Sequence, residues 1–145
     1  FKEEIIMLNK ADVITALQTE LDLKLAYQKD TLQVAIISRN SDTKSSAGDK
    51  FETSREMAQI EITKIEAEIL KTQQFIQHLT TNTAQLVITD RSIFFITIAF
   101  GKLIVNGTEV FCISNSAPIS KALVNTKISQ QFEFGGVPYK VLDIL

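Results

Sequence analysis

Ala58-Gln-Ile-Glu-Ile-Thr-Lys-Ile-Glu-Ala-Glu-Ile-Leu-Lys-Thr-Gln-Gln-Phe-Ile-Gln-His-Leu79 decides the architecture. Within it, Ala58, Ile62, Ile65, Ile69, Thr72, Ile76 and Leu79 recur at alternating steps of four and three residues. A mean step of about 3.5 is the seam of a coiled coil, one apolar row on a helix that needs a second helix to cover it. Glu61, Lys64, Glu68 and Lys71 fall outside the row and read as a solvated face.

Upstream, Ile14, Leu17, Leu21, Leu25, Leu32 and Ile36 form a second row, interrupted by Gln28, and predict a helix over residues 2–38. At 1.5 Å per residue these helices are roughly 45–55 Å long. A chain of 145 residues cannot wrap helices of that length in a globular core. They are expected to pair as an antiparallel hairpin that projects as a rod, with a dimeric coiled coil as the competing arrangement. Between them, residues 39–50 are dense in Ser, Asn, Asp and Gly, which marks the turn at the tip. Asp49 is a candidate cap for the second helix, with Glu52 at capping-box spacing, and Ser45 or Ser46 takes that role if the helix starts earlier.

Downstream the composition changes. Residues 1–84 hold 13 of 17 acids and 10 of 15 bases, about −3 net, whereas residues 85–145 net about +1. Gly48 apart, every Gly lies after residue 100, as do both Pro. Short Val-, Ile-, Phe- and Thr-rich runs now alternate with turn signals, the pattern of a sheet. Residues 86–89 and 93–100 read as strands. Residues 102–113 read as a hairpin turning at Asn106-Gly107, and residues 131–145 as one turning at Gly135-Gly136. Between the hairpins, residues 118–124 predict a short helix with Pro118 in its first turn and Ser116 as its cap. Pro138 belongs at a strand start or on an edge. The expected fold class is α+β: a helical hairpin over 1–82, then a small antiparallel sheet domain with one short helix over 83–145, joined near residues 80–84.

The remaining arithmetic narrows the function classes. A net charge of −2 argues against a broad nucleic-acid-binding face, so no independent DNA binding is expected. One Cys rules out an intrachain disulfide, and one Cys with one His rules out the usual zinc clusters. No run approaches the length of a membrane span. The start, Phe1-Lys2-Glu3-Glu4, has neither a signal-peptide pattern nor an initiator Met, as expected of a trimmed chain or an internal start. A cytoplasmic setting is the default expectation.

Ser114-Asn-Ser-Ala-Pro-Ile-Ser-Lys-Ala-Leu-Val124, followed by a Gly-Gly hairpin and a last strand ending Val141-Leu-Asp-Ile-Leu145, resembles the C-terminal domain of the Gre transcript-cleavage factors. In that family a Ser-Pro-Ile helix sits inside an FKBP-like sheet, and a long helical hairpin precedes it, the same order as in this chain. The run from Lys44 to Met57 looks closer to a short, divergent Gre-like branch. The resemblance implies a partner, RNA polymerase. The sheet domain docks and the rod enters the secondary channel, with nascent RNA within reach in the complex. It also implies a shared cofactor. Acids at the tip help hold a magnesium ion at the polymerase active site, so that backtracked RNA is cleaved, while the factor itself is not an enzyme and holds no cofactor stably. Carboxylate oxygens are what such a hard cation requires.

The family tip reads roughly Gly-Asp-Leu-Lys-Glu-Asn-Ala-Glu-Tyr. Here Asp42 matches the first acid and Lys44 the Lys, but the second acid falls on Ser45, whose neutral hydroxyl is a poor magnesium ligand. Asp42 and Asp49 are therefore the candidate metal-binding acids, with cleavage stimulation in doubt. Lys44, Lys50, Glu52, Arg55, Ser116 and Pro118 are the candidate partner contacts.

Each of these residues also has an ordinary reading. Asp42, Asp49 and Glu52 suit turns and helix caps, and Lys44, Lys50 and Arg55 suit a helix surface. His78 favours the dipole at a helix C-terminus. Cys112 reads as a small sheet residue. Phe94 and Phe95 are adjacent and face opposite sides of one strand, so both are buried only if the sheet is covered twice. The rival function is a non-catalytic protein-interaction module with a coiled-coil rod. A weaker third is a prolyl isomerase or chaperone, which rests on fold alone.

Overall fold

The computed structural model describes residues 8–42, 48–80 and 84–145, without the side chains of residues 42 and 48–51. The elements in chain order are α1 (Lys10–Asp42), α2 (Gly48–Leu79), β1 (Gln85–Thr89), β2 (Ile93–Thr97), β3 (Gly101–Val105), β4 (Thr108–Ser114), α3 (Pro118–Val124), β5 (Gln131–Phe134) and β6 (Val137–Ile144). This is an α+β chain, two paired helices followed by a sheet and a short helix. It divides into two compact units, Glu20–Ile76 and the remainder, Phe1–Thr19 with Gln77–Leu145.

In the unit Glu20–Ile76 the two helices pair along the expected seam. Ile62, Ile65, Ile69 and Thr72 of α2 are buried, as are Leu21 and Gln28 of α1. Leu25, Leu32 and Ile36 are partly buried, so the row on α1 is shallower than its spacing suggests. Gln28 is not a break in the row but part of it. The Thr72 hydroxyl donates to Gln28 Oε1 at 2.8 Å and lies 3.1 Å from the Glu68 carbonyl, a three-centre arrangement. Further along, Arg39 Nη1 donates to Gln59 Oε1 at 2.7 Å. From Gln28 to Arg39 the chain advances eleven residues, and from Thr72 to Gln59 it retreats thirteen. That opposite progression is an antiparallel hairpin closed within one chain.

The start of α1 differs from expectation. The helix begins at Lys10, where Asn9 caps it by accepting the Asp12 N–H on Oδ1 at 2.8 Å, and the part of the expected helix over residues 2–7 lies outside the described residues. The row accordingly starts at buried Val13 rather than at Ile14, and α1 continues to Asp42, past residue 38.

In the other unit the strands run in the order β3-β4-β2-β1-β6-β5. All neighbours are antiparallel except β2 and β4, which pair in parallel from Phe94↔Phe111 to Thr97↔Ser114. The sheet is therefore mixed, not antiparallel throughout as expected. The cause is local. The run expected to be strand to residue 100 stops at Thr97, and Gly101, at φ 98°, restarts the chain on the far side of β4. The Asn106-Gly107 hairpin then brings β4 back between β2 and β3. Both of its turn residues have positive φ, 51° and 82°, as do Gly135 and Gly136, so both hairpins close with the turn that right-twisted strands require.

Pairing partners share a face of the sheet. Val87, Phe94, Ile96 and Val141 form a core with Leu123 of α3 on one face. Leu86, Ile88, Ile93, Phe95, Leu103, Val105, Val110 and Cys112 alternate with them on the other and are equally buried. Buried residues of this unit outside the strands and α3 include Leu8 just before α1, Val13 and Leu17 in its first turns, Leu79 at the end of α2 and Ala84 just before β1. Both Phe94 and Phe95 are thus interior. Pro138 pairs with Glu133, one step from the closing pair Phe134↔Val137. Alternation of the ladder turns its nitrogen away from β5, at a level where β1 has not yet joined, so no sheet bond is lost.

The buried polar pair yields a stability test. Thr72→Val strands the Gln28 amide and is expected to cost about 1–3 kcal/mol. Gln28→Leu with Thr72→Val removes both polar groups and should recover most of that loss. Urea unfolding followed by helical circular dichroism measures both, and strictly additive losses would contradict the pairing.

Candidate functional site

The segment joining α1 and α2 carries the residues singled out for metal chemistry. Asp42 is the last residue of α1, and Asp49 and Lys50 lie in the first turn of α2. Their side chains, and Lys44, Ser45 and Ser46 entirely, lie outside the described residues. Glu52 and Arg55 follow on α2 and are both exposed. With Glu56 and Gln59 they line a shallow depression of about 480 Å³. Glu52 and Glu56 are four residues apart and share a helix face, with Arg55 beside them. Among the described residues no three His, Cys, Asp or Glu side chains gather as a metal site.

The second candidate region precedes α3. Ser116 was expected to cap this helix, but Ala117 occupies the cap position and makes no side-chain cap bond. The reason is that Ser116 is engaged elsewhere. Its hydroxyl lies 2.8 Å from that of Ser114, and its N–H donates to Ser114 Oγ at 3.1 Å. The helix is anchored instead by buried Ser120, whose hydroxyl donates to the Ser114 carbonyl at 2.6 Å. The Ala117 N–H donates to the same carbonyl at 3.1 Å. Pro118 is exposed at the first helical position, where its missing N–H costs nothing. The structure thus brings Ser116 and Pro118 together on a braced turn. Ser114 and Ser120 do the bracing and were missed. Their only sequence signal was a hydroxyl on either side of the Pro.

Beside α3 the sheet presents a partly open aromatic strip. Phe132 and Tyr139 stack at 5.1 Å between ring centroids. Tyr139 meets Phe94 edge-on at 6.1 Å, and Phe94 meets Phe111 at 6.2 Å. Phe94 is buried while the other three are partly exposed, an arrangement suited to holding an apolar segment against rigid rings.

The two residues most often tied to chemistry take structural roles. His78 sits in the last turn of α2, where a basic group favours the helix dipole. Cys112 is enclosed within β4, and burial pushes its thiol from an ordinary 9.0 up to about 12. A thiol held protonated is a poor nucleophile.

No known family, curated protein or solved structure matches this chain. The sheet unit by itself offers a braced Ser116-Ala-Pro118 turn and partly exposed aromatic rings, and the helical unit by itself carries exposed Glu52, Arg55 and Glu56.

The Cys112 shift carries a sign. The folded thiol has the raised value, so above pH 9.0 the unfolded chain loses its proton first and unfolding is favoured. The Cys112 contribution is complete below pH 9.0 and declines as pH rises toward about 12. Urea midpoints should fall less steeply with alkaline pH in Cys112→Ala than in the parent. A disulfide reagent should label Cys112 only as fast as the sheet opens, and immediate labelling of the folded chain would contradict the burial.

Proposed function

We propose that this protein is a Gre-like regulator that binds RNA polymerase, enters its secondary channel with the α1–α2 hairpin and docks through the sheet unit. One observation carries this reading: helices of 33 and 32 residues pair within one chain and are followed by a sheet whose short helix opens at Pro118. Two paired helices are roughly 20–24 Å wide, a width suited to a narrow channel. The order of the two parts and the Ser116-Ala-Pro-Ile119 segment are what carry the Gre resemblance. On this reading the protein acts in the cytoplasm and is not itself an enzyme.

Asp42 is the acid this reading offers to a magnesium ion shared with the polymerase, with Asp49 as the second candidate. Lys44, Lys50, Glu52 and Arg55 meet the channel walls or the nascent RNA. Ser45, at the family's second acid position, argues that cleavage stimulation is weak and that occupancy of the channel is the main effect. A second reading, a non-catalytic interaction module, draws on the same Ser45. It is also supported by the exposed apolar side chains Leu23, Tyr27, Val34 and Ile37 along α1.

Retention of the chain by the RNA polymerase of its own source organism is the direct test. Binding at micromolar concentration is expected, and none at that level would overturn the proposal. In the bound state Ser45→Glu should raise magnesium-dependent cleavage of backtracked RNA, and adding Asp42→Ala should remove that gain. Binding with no cleavage in any variant would favour the interaction module.

A further inference from the structure

We propose that a cavity at one end of the sheet binds a carboxylate carried on an apolar body. The cavity has a volume of about 360 Å³ and is lined by residues that include Arg91, Ser92, Gly107, Thr108, Glu109 and Phe111. One wall is the β1–β2 turn and the other is the β3–β4 hairpin turn, brought side by side because β2 and β4 run parallel and start at the same end. The volume lies at the lower end of the range for small-molecule sites.

The turn that presents Arg91 is fixed more firmly than a surface turn requires. Thr89 Oγ1 accepts the N–H groups of Ser92 at 2.9 Å and Arg91 at 3.3 Å, and donates to the Ser92 carbonyl at 2.6 Å. Asp90 is clamped to Lys140 twice, through its N–H at 3.0 Å and its Oδ1 at 2.9 Å. Arg91 then donates Nε–H to the Pro138 carbonyl at 2.8 Å, which sets the plane of its guanidinium. Four of its five N–H donors remain for a ligand, and among the described residues no carboxylate pairs with it. A guanidinium held in this way loses little freedom when it takes up an anion.

The charges at the cavity select the ligand. Glu109 is matched by Lys102 at 2.7 Å. The three groups therefore leave one net positive charge, which suits a monoanion. A phosphate dianion would face Glu109 as well as Arg91. Phe111 supplies an aromatic surface for an apolar body beside the carboxylate. Two sources offer that chemistry, a free small aryl acid and the C-terminal carboxylate of a peptide. The inference stands apart from the polymerase reading, since neither source involves that partner.

Titration of the full chain, followed by backbone amide NMR, tests it with three probes: phenylacetate, N-acetylphenylalanine and N-acetylphenylalanine amide. Saturable shifts centred on Ser92 and Gly107 are expected with the two acids and not with the amide. Tighter binding of phenylacetate would assign the free acid, and tighter binding of N-acetylphenylalanine the peptide end. Arg91→Gln should weaken the acids at least about tenfold, the scale of a lost charge-assisted pair. Arg91→Lys, which keeps the charge without the fork, should fall between. Spectra of the free variants report whether the turn has stayed folded. No saturable shift with either acid, equal binding of the amide, or unchanged affinity in a folded Arg91→Gln would overturn the proposal.

Discussion

The helical hairpin rests on the contact between Gln28 and Thr72. An apolar seam attracts a second helix but is nearly indifferent to a slide of one heptad. A buried amide is not, because its hydrogen bond exists at one register and is lost at every other. Gln28 is 8% exposed and Thr72 3%, so water cannot replace the partner if the helices slip. Setting that register also sets which residues of α1 and α2 end opposite one another at their junction, and any function of that junction inherits the constraint.

The sheet unit solves a different problem. Its central strands are apolar on both faces, which a single short helix cannot cover. The first turns of α1 and the end of α2 supply buried side chains to the same unit, and Leu123 of α3 packs with Val87, Phe94, Ile96 and Val141 on one face of the sheet. Placing β4 between β2 and β3 puts Cys112 and Val110 in the interior and brings two turns together at one end. The cavity beside Arg91 is a product of that topology, not of any local motif.

How much of this was legible in the sequence depended on how local the cause was. The seam on α2, the bounds of α3 and the two glycine hairpins follow from spacing and from backbone conformations only certain residues tolerate, and all appear in the structure. Gln28 read as an interruption because its partner lies 44 residues away. The start of α1 at Lys10 depended on the Asn9 side chain capping the helix, a contact that the apolar spacing does not report. The parallel β2–β4 pair required knowing that the chain crosses a strand not yet formed. At the candidate sites, Ser116 and Pro118 share one turn as their proximity implied, but the capping assignment failed because Ser114 captured the hydroxyl. The tip acids were legible as residue types alone, since convergence of side chains is a tertiary property.

The polymerase-channel role requires the helices to close within one chain, as the Gln28–Thr72 and Arg39–Gln59 contacts have them. The most direct measurement places cysteines at the facing positions Arg39, which is partly exposed, and Gln59, which is exposed, as Arg39→Cys and Gln59→Cys, treats the dilute protein with a short bismaleimide and reads the product mass. Buried Cys112 should not compete. A bridge within one chain, on a species of monomer mass, is the predicted result. Bridges that join two chains, with no intrachain product, would contradict the account.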